Sequence, residues 1–168
     1  MIDKSSTEKV LAHFFTFPTE EVHLRKLSRQ LGLSLPTIIM ATKKLEQEGL
    51  ITVKHGRPLT LTRAALTERF TRRKRVHNLE QVYESGLLES ISKARPDAII
   101  LFGSYSRGED TERSDIDIAI LKGNGKRLVL DAFEHKLHRK ISVHSIDDHM
   151  NKRLIENLKN GIVLEGTL

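Results

Sequence analysis

Two short motifs in the second half of this 168-residue chain bring together groups that could do chemistry. The first is Gly103-Ser104, the second Asp115-Ile116-Asp117, and ten residues separate them inside the run LFGSYSRGEDTERSDIDIAIL, residues 101–121. Aspartate is a poor strand former, so two of them at alternating positions in an isoleucine-rich run need a reason. On a strand, Asp115, Asp117 and Ala119 share one face while Ile116, Ile118 and Ile120 point the other way. Carboxylates so placed, about 7 Å apart at the backbone, repel one another unless a cation lies between them. Hard oxygen ligands of this kind suit Mg²⁺ held jointly with phosphate oxygens. Glycine at position 103 permits close backbone approach. The amides that follow and the Ser104 hydroxyl can donate to a phosphate at a helix N-terminus, with Arg107 one turn further on in reach of the same anion. A phosphate cradle with paired carboxylates amounts to a metal–nucleotide site.

The elements that must position these groups follow from the surrounding pattern. Asp97 to Phe102 is a short apolar run that reads as a buried strand, SYSRGED as a turn of helix, and SDIDIAIL as a second strand. Gly123-Asn124-Gly125 makes a turn, and Leu128, Val129, Ala132, Phe133, Lys136 and Leu137 lie along a helix. KISVHSI gives a third strand, Asp147 to Leu158 another helix with Asp147 as its cap, and GIVLEG a last strand.

Gly-Ser after a strand, ten residues, then Asp-x-Asp in the next strand resembles the nucleotidyltransferase superfamily that includes DNA polymerase beta. The likeness is to its minimal nucleotidyltransferase branch, and the tail LKNGIVLEG is similar too. This resemblance implies an α/β (α+β) domain with a mixed sheet, binding Mg²⁺ and ATP or another NTP. It implies that Gly103 and Ser104 hold the triphosphate and that Asp115 and Asp117 hold the metal. An acceptor hydroxyl would then attack the α-phosphorus in line and release pyrophosphate. A protein acceptor is implied as well, since members of this branch often act as antitoxins that adenylylate a partner toxin.

The chain departs from the family pattern at one place. A third carboxylate is normally found in a setting like R-K-V-D-L-V, and the matching stretch here is Arg139-Lys140-Ile141-Ser142-Val143-His144. Serine is neither a useful base near neutral pH nor an anionic ligand. His144 shares the strand face of Ser142 and is a candidate catalytic base, and Asp147 or Asp148 are further candidates from the next helix. Two readings therefore stand side by side: a nucleotidyltransferase, and a non-catalytic domain that senses nucleotide or mediates assembly. An enzyme acting on a small molecule such as an aminoglycoside would need an acceptor pocket that the short second half leaves little chain to build.

The first half has a different character. Residues 1–78 carry 15 Lys and Arg against 7 Asp and Glu, whereas residues 79–168 carry 13 against 15. A basic half beside a near-neutral one suggests a polyanion partner for the first. Val10, Leu11, Phe14 and Phe15 make a helical stripe. A second helix is expected to open at Thr19 with Glu20 and Glu21 in its first turn and to bury Val22, Leu24, Leu27 and Leu31 before Gly32. Ser34 caps a third, with Pro36 near its start and Ile38, Ala41, Thr42 and Leu45 inward. LITVKHGRPLTLT then reads as a hairpin with a basic tip.

This order, and the words RKLSRQLGLSLPTIIMATKKLEQEGLI, resemble winged helix-turn-helix domains, which are mostly α, over about residues 5–65. The resemblance implies double-stranded DNA as partner, with Leu35, Pro36, Thr37, Ile39, Met40 and Lys43 facing the groove and Lys44, Lys54 and Arg57 near phosphates. Ile39 and Met40 stand where polar base readers are common, so either thymine methyl groups or a protein partner would suit them.

Residues 69–93 read as a connecting helix bent near Gly86, with a basic cluster at Arg72–Arg75 and an apolar face suited to domain packing or a homodimer seam. The expected division is thus 1–68, 69–93 and 94–168. With 38% hydrophobic and 30% charged residues the chain reads as folded. No cysteine is present, which excludes disulfides and thiolate chemistry. Neither a membrane-length apolar run nor a signal-peptide core is seen, so the expected setting is the cytoplasm, away from membranes.

Overall fold

The computed structural model describes residues 5–56, 60–122, 128–146, 158 and 160–167. The chain divides into two units, Met1–Lys74 and Arg75–Leu168.

In the first unit, α1 (Ser6–Thr16) opens on a capping box. The Glu8 N–H donates to Ser5 Oγ while the Ser5 N–H donates to the Glu8 carboxylate at 2.9 Å. Its stripe of Val10, Leu11, Phe14 and Phe15 is buried as the spacing predicts. The next stretch departs from expectation. Val22–His23 is a short strand, β1, and the second helix, α2 (Leu24–Leu31), starts four residues later than a Thr19 cap would have it. The cause is tertiary. Val22 pairs with Thr62, and its carbonyl accepts a hydrogen bond from the buried Thr62 hydroxyl at 3.0 Å. Strand pairing here overrides the helix-start signal of Thr19, Glu20 and Glu21. Gly32 ends α2 in the left-handed region at φ 63°, where glycine pays no Cβ penalty.

Ser34 caps α3 (Leu35–Gln47), which buries Ile38, Ala41, Thr42 and Leu45. The strands β2 (Ile51–Lys54) and β3 (Leu61–Ala64) complete a three-stranded antiparallel sheet in the order β1-β3-β2. Leu27, Ile38, Leu45 and Leu50 join the phenylalanines in one core.

The division between units falls within α4 (Glu68–Ser85), whose stop at Gly86 has φ 84°, after which α5 (Leu87–Ser92) resumes. Lys136 Nζ caps the end of α4, donating to the Glu84 and Ser85 carbonyls at 2.8 and 3.1 Å. The second unit continues through β4 (Ala98–Phe102), α6 (Gly103–Arg107), β5 (Ile116–Leu121), α7 (Asp131–Leu137), β6 (Ile141–Ile146) and β7 (Ile162–Gly166). Its sheet is mixed, in the order β6-β5-β4-β7. Strands β5 and β6 run parallel with α7 in their crossover, and the other pairs are antiparallel.

Two apolar clusters lie on the two faces of this sheet. Ile99, Leu101, Ile116, Ile118 and Ile120 pack with Val82, Leu87, Ile91 and Leu137, while Ile100, Phe102, Ala119 and Ile146 form the other cluster. Asp117 emerges from the second face. Asp115 lies just before β5 rather than within it, and is exposed. The turn expected at 123–125 and the helix expected over 147–158, with Asp147 and Asp148, lie almost wholly outside the described residues.

Candidate functional site

The registers of the mixed sheet set the first-order geometry of the site. Phe102 pairs with Asp117 and Asp117 with Ser142, so one row across β4, β5 and β6 reads Phe102, Asp117, Ser142. The next row reads Ile100, Ala119, His144. Strand β4 then turns sharply into α6 at Gly103, whose φ of 74° is a left-handed conformation that favours glycine. The turn passes so close to β5 that a Cβ at this position would fall on Asp117 Oδ2. Gly103 and Asp117, fourteen positions apart in sequence, are therefore in direct apposition, with Ser104 on the first turn of α6 beside them.

The electrostatics of the pair of carboxylates are asymmetric. Burial pushes the Asp117 carboxyl above its ordinary value, and the Asp115 charge adds to the effect, while His144 and, more weakly, Arg107 pull it back. Ser142 Oγ donates to Asp115 Oδ2 at 3.2 Å. His144 Nε2 lies 3.6 Å from Asp117 Oδ1, an ion contact beyond hydrogen-bond reach, and its ring meets the edge of Phe102 at a centroid distance of 5.4 Å. The two β6 residues singled out by their shared face thus address the two aspartates separately. Among the described residues, no group of three His, Cys, Asp or Glu side chains gathers at metal-binding spacing. Arg107 is exposed and donates to Glu109 Oε2 at 2.7 Å, a surface pair of small energetic weight.

Behind the site lies a buried polar network that the sequence pattern does not reveal. Asp110 is fully buried and accepts from Asn78 Nδ2 at 2.7 Å and from Arg139 Nη2 at 3.2 Å, while the same Asn78 nitrogen donates to the Tyr105 carbonyl at 2.9 Å. Four segments are joined in this way: α4, α6, the loop after α6, and the turn into β6. The loop so anchored leads into Asp115, and Arg139 lies two residues before the start of the strand that carries Ser142 and His144.

In the first unit the residues proposed to meet DNA are placed as follows. Ile39 and Met40 are exposed on α3, and Lys43, Lys44 and Lys54 are exposed as well. The Thr37 hydroxyl lies 2.7 Å from Ser34 Oγ as part of the helix cap. Arg57 lies outside the described residues. Arg63, not anticipated from sequence, lines a shallow cleft of about 300 Å³ with Lys54, Glu21 and Thr52, and its Nε donates to Thr52 Oγ1 at 3.3 Å. Its signal was there in the alternation of LTRA, where Thr62 and Ala64 point inward.

A strand-turn-helix approaching an aspartate on the neighbouring strand of a mixed four-stranded sheet defines the second unit as an α/β domain. Residues 87–166, from α5 to the end of β7, match the family described as Polymerase beta, Nucleotidyltransferase, and this stretch is a polymerase beta-like nucleotidyltransferase domain. No curated protein matches the chain. Among the described residues no helix is long and apolar enough to cross a membrane.

Proposed function

We propose that this protein is a nucleotidyltransferase that binds Mg-NTP between the Gly103-Ser104 turn and the Asp115, Asp117 pair, and that its basic first unit, read as a winged helix-turn-helix, binds duplex DNA. The observation that carries the first part is the apposition of Gly103 and Asp117, which leaves no volume for any other residue at 103. The donor set fits the ion. Two hard carboxylates, one exposed and one half-buried, leave room for phosphate oxygens and water, the company that Mg²⁺ prefers. When bound, the ion neutralises phosphate charge and polarises the reacting phosphoryl group.

The chain's own residues would contribute as follows. Gly103 and Ser104 seat the triphosphate, and Asp115 and Asp117 hold the ion. Arg107 exchanges Glu109 for phosphate, and His144, next to Asp117, accepts the proton of the attacking hydroxyl. The acceptor oxygen forms a bond to the α-phosphorus, the α–β anhydride breaks, and pyrophosphate leaves. A protein hydroxyl is the acceptor class that the family resemblance favours. The test is binding of Mg-ATP by calorimetry, with an Asp115→Ala, Asp117→Ala double mutant. Unchanged binding in the double mutant removes the site.

A second reading is favoured by one specific observation. Ser142 stands where a third acid is expected, and its hydroxyl is spent on Asp115. In that reading the domain binds nucleotide without transferring it, and the protein is a regulator. Labelled ATP, Mg²⁺ and candidate acceptors separate the two, because pyrophosphate release dependent on Asp115 and Asp117 belongs only to the enzyme.

A further inference from the structure

The solvent face of α3 is apolar where a helix entering a DNA groove makes its base contacts. Helices of this kind read base edges from their N-terminal turns, and here those turns present Pro36, Ile39 and Met40. Met40 is 74% exposed and Ile39 47%. One hydrogen bond of the Thr37 hydroxyl goes to Ser34 within the helix cap. Lys43 and Lys44 follow one turn later, both exposed, and Lys54 and Arg63 stand exposed on the strands of the same unit. The surface is thus a small apolar island in basic surroundings. Three side chains cannot supply the roughly 800 Å² per partner that a stable protein interface buries. The charge around them matches a phosphate backbone. In the major groove the one apolar feature of a base pair is the 5-methyl group of thymine.

Resting on the DNA-binding reading above, we infer that α3 selects duplex sites by packing Ile39 and Met40 against thymine 5-methyl groups, with Lys43, Lys44 and Lys54 contributing phosphate contacts that carry no sequence information. Specificity then resides in methyl groups rather than in hydrogen-bond donors and acceptors. The preferred site contains adjacent thymines, and its affinity follows the methyl content of the groove rather than the base-pairing edges.

The experiment uses the full chain. A preferred duplex is selected from a randomised pool at moderate salt. Its thymines are then replaced one at a time by deoxyuridine, which removes the 5-methyl group and changes nothing else in the pairing. Each contacted methyl is expected to be worth about fourfold in affinity, the value of one buried methylene-sized group. Ile39→Ala with Met40→Ala is expected to bind thymine and deoxyuridine duplexes alike. Lys43→Ala is expected to weaken both equally and to flatten the salt dependence. Replacing cytosine by 5-methylcytosine at a contacted step is expected to restore affinity.

Duplex binding that is salt-sensitive yet indifferent to deoxyuridine at every position overturns the inference while leaving the DNA-binding reading intact. No salt-sensitive binding to any duplex overturns the DNA-binding reading itself, and this inference with it. Self-association lost in the Ile39, Met40 double variant, in a protein that binds no duplex, assigns the face to a protein partner and likewise overturns it.

Discussion

The Asp117 carboxylate occupies the volume that a side chain on Gly103 would need. A backbone turn and an acid on the neighbouring strand are thereby locked into one arrangement, so that neither can change without the other. Gly103→Ala adds a Cβ both at a φ of 74° and against Asp117 Oδ2. The left-handed backbone alone costs about 1–3 kcal/mol for a residue with a side chain. The variant is expected to melt earlier and to lose Mg-ATP binding. Adding Asp117→Ala removes the overlap, so the double variant should be less destabilised than the two single changes summed. Strict additivity in urea melts would mean that the two residues do not meet.

Asp117 itself is expected to trade stability for function. Burial raises its carboxyl pKa in the folded chain. A group raised in this way contributes stability at low pH and loses it as pH rises through the folded value, so at neutral pH the ionised Asp117 is a net strain on the apo fold. Asp117→Asn removes the charge and should raise the melting temperature without ligand, while lowering Mg-ATP affinity by at least roughly tenfold. A fall in apo stability would contradict the burial argument.

The parts of this arrangement that were legible in the sequence are those whose signal is local. The Gly103 turn beside Asp117 follows from a glycine that ends one apolar strand and an acid that interrupts the next, and the period of two put Ser142 and His144 on one face. The stripe Ile38, Ala41, Thr42, Leu45 was equally readable, because α3 has a single buried face. What was not legible depends on partners far along the chain. Val22 and His23 become a strand only through β3, with the Thr62 hydroxyl reaching across 40 positions, and nothing in TEEVH announces that. Asn78, Asp110 and Arg139 each look like surface residues in a charged stretch. Their burial becomes visible only when the fold brings together groups 32 and 29 positions apart.

That buried network yields a stability prediction. Asp110→Ala leaves the Arg139 guanidinium, itself almost fully buried, without its carboxylate. Breaking one side of a buried pair costs about 3–5 kcal/mol. Urea denaturation followed by a probe in the second unit should show a loss of this size, whereas Glu109→Ala, which removes only an exposed partner of Arg107, should change stability by no more than about 1 kcal/mol. Comparable effects of the two changes would mean that the network does not hold the loop leading to Asp115.

The first unit carries a pH dependence of its own. His13 is buried, with Nε2 2.9 Å from Glu20 Oε2, and Glu20 also holds Lys26 Nζ at 2.8 Å. Burial lowers the His13 pKa from its ordinary value of 6.5, and Glu20 only partly offsets this. The sign follows: the folded unit binds fewer protons than the unfolded chain just below pH 6.5, so stability contributed by neutral His13 is present above that pH and lost as pH falls toward the folded value. Thermal melts of the first unit at pH 7.5 and 5.5 should differ more in the native protein than in His13→Gln. Equal differences would place the acid sensitivity elsewhere.

The decisive substitution for the second unit is Ser142→Asp. Ser142 Oγ now donates to Asp115 Oδ2, and its Cα partner across the sheet is Asp117. An acid here exchanges a hydrogen-bond donor for a third negative charge beside two others, so the apo variant should be less stable than the native protein. A divalent ion reverses that balance, because three carboxylates bind it more tightly than two. Binding to the folded state alone adds about 2.7 kcal/mol when the ion is present at a hundred times its dissociation constant. The expected result is therefore a larger Mg²⁺-induced rise in melting temperature for Ser142→Asp than for the native chain, accompanied by faster pyrophosphate release from Mg-ATP when an acceptor is present. A variant that is destabilised, gains nothing from Mg²⁺ and releases no more pyrophosphate would show that position 142 does not face the ion. The serine would then be a strand residue of no catalytic consequence, and the missing acid would have to be sought elsewhere in the chain.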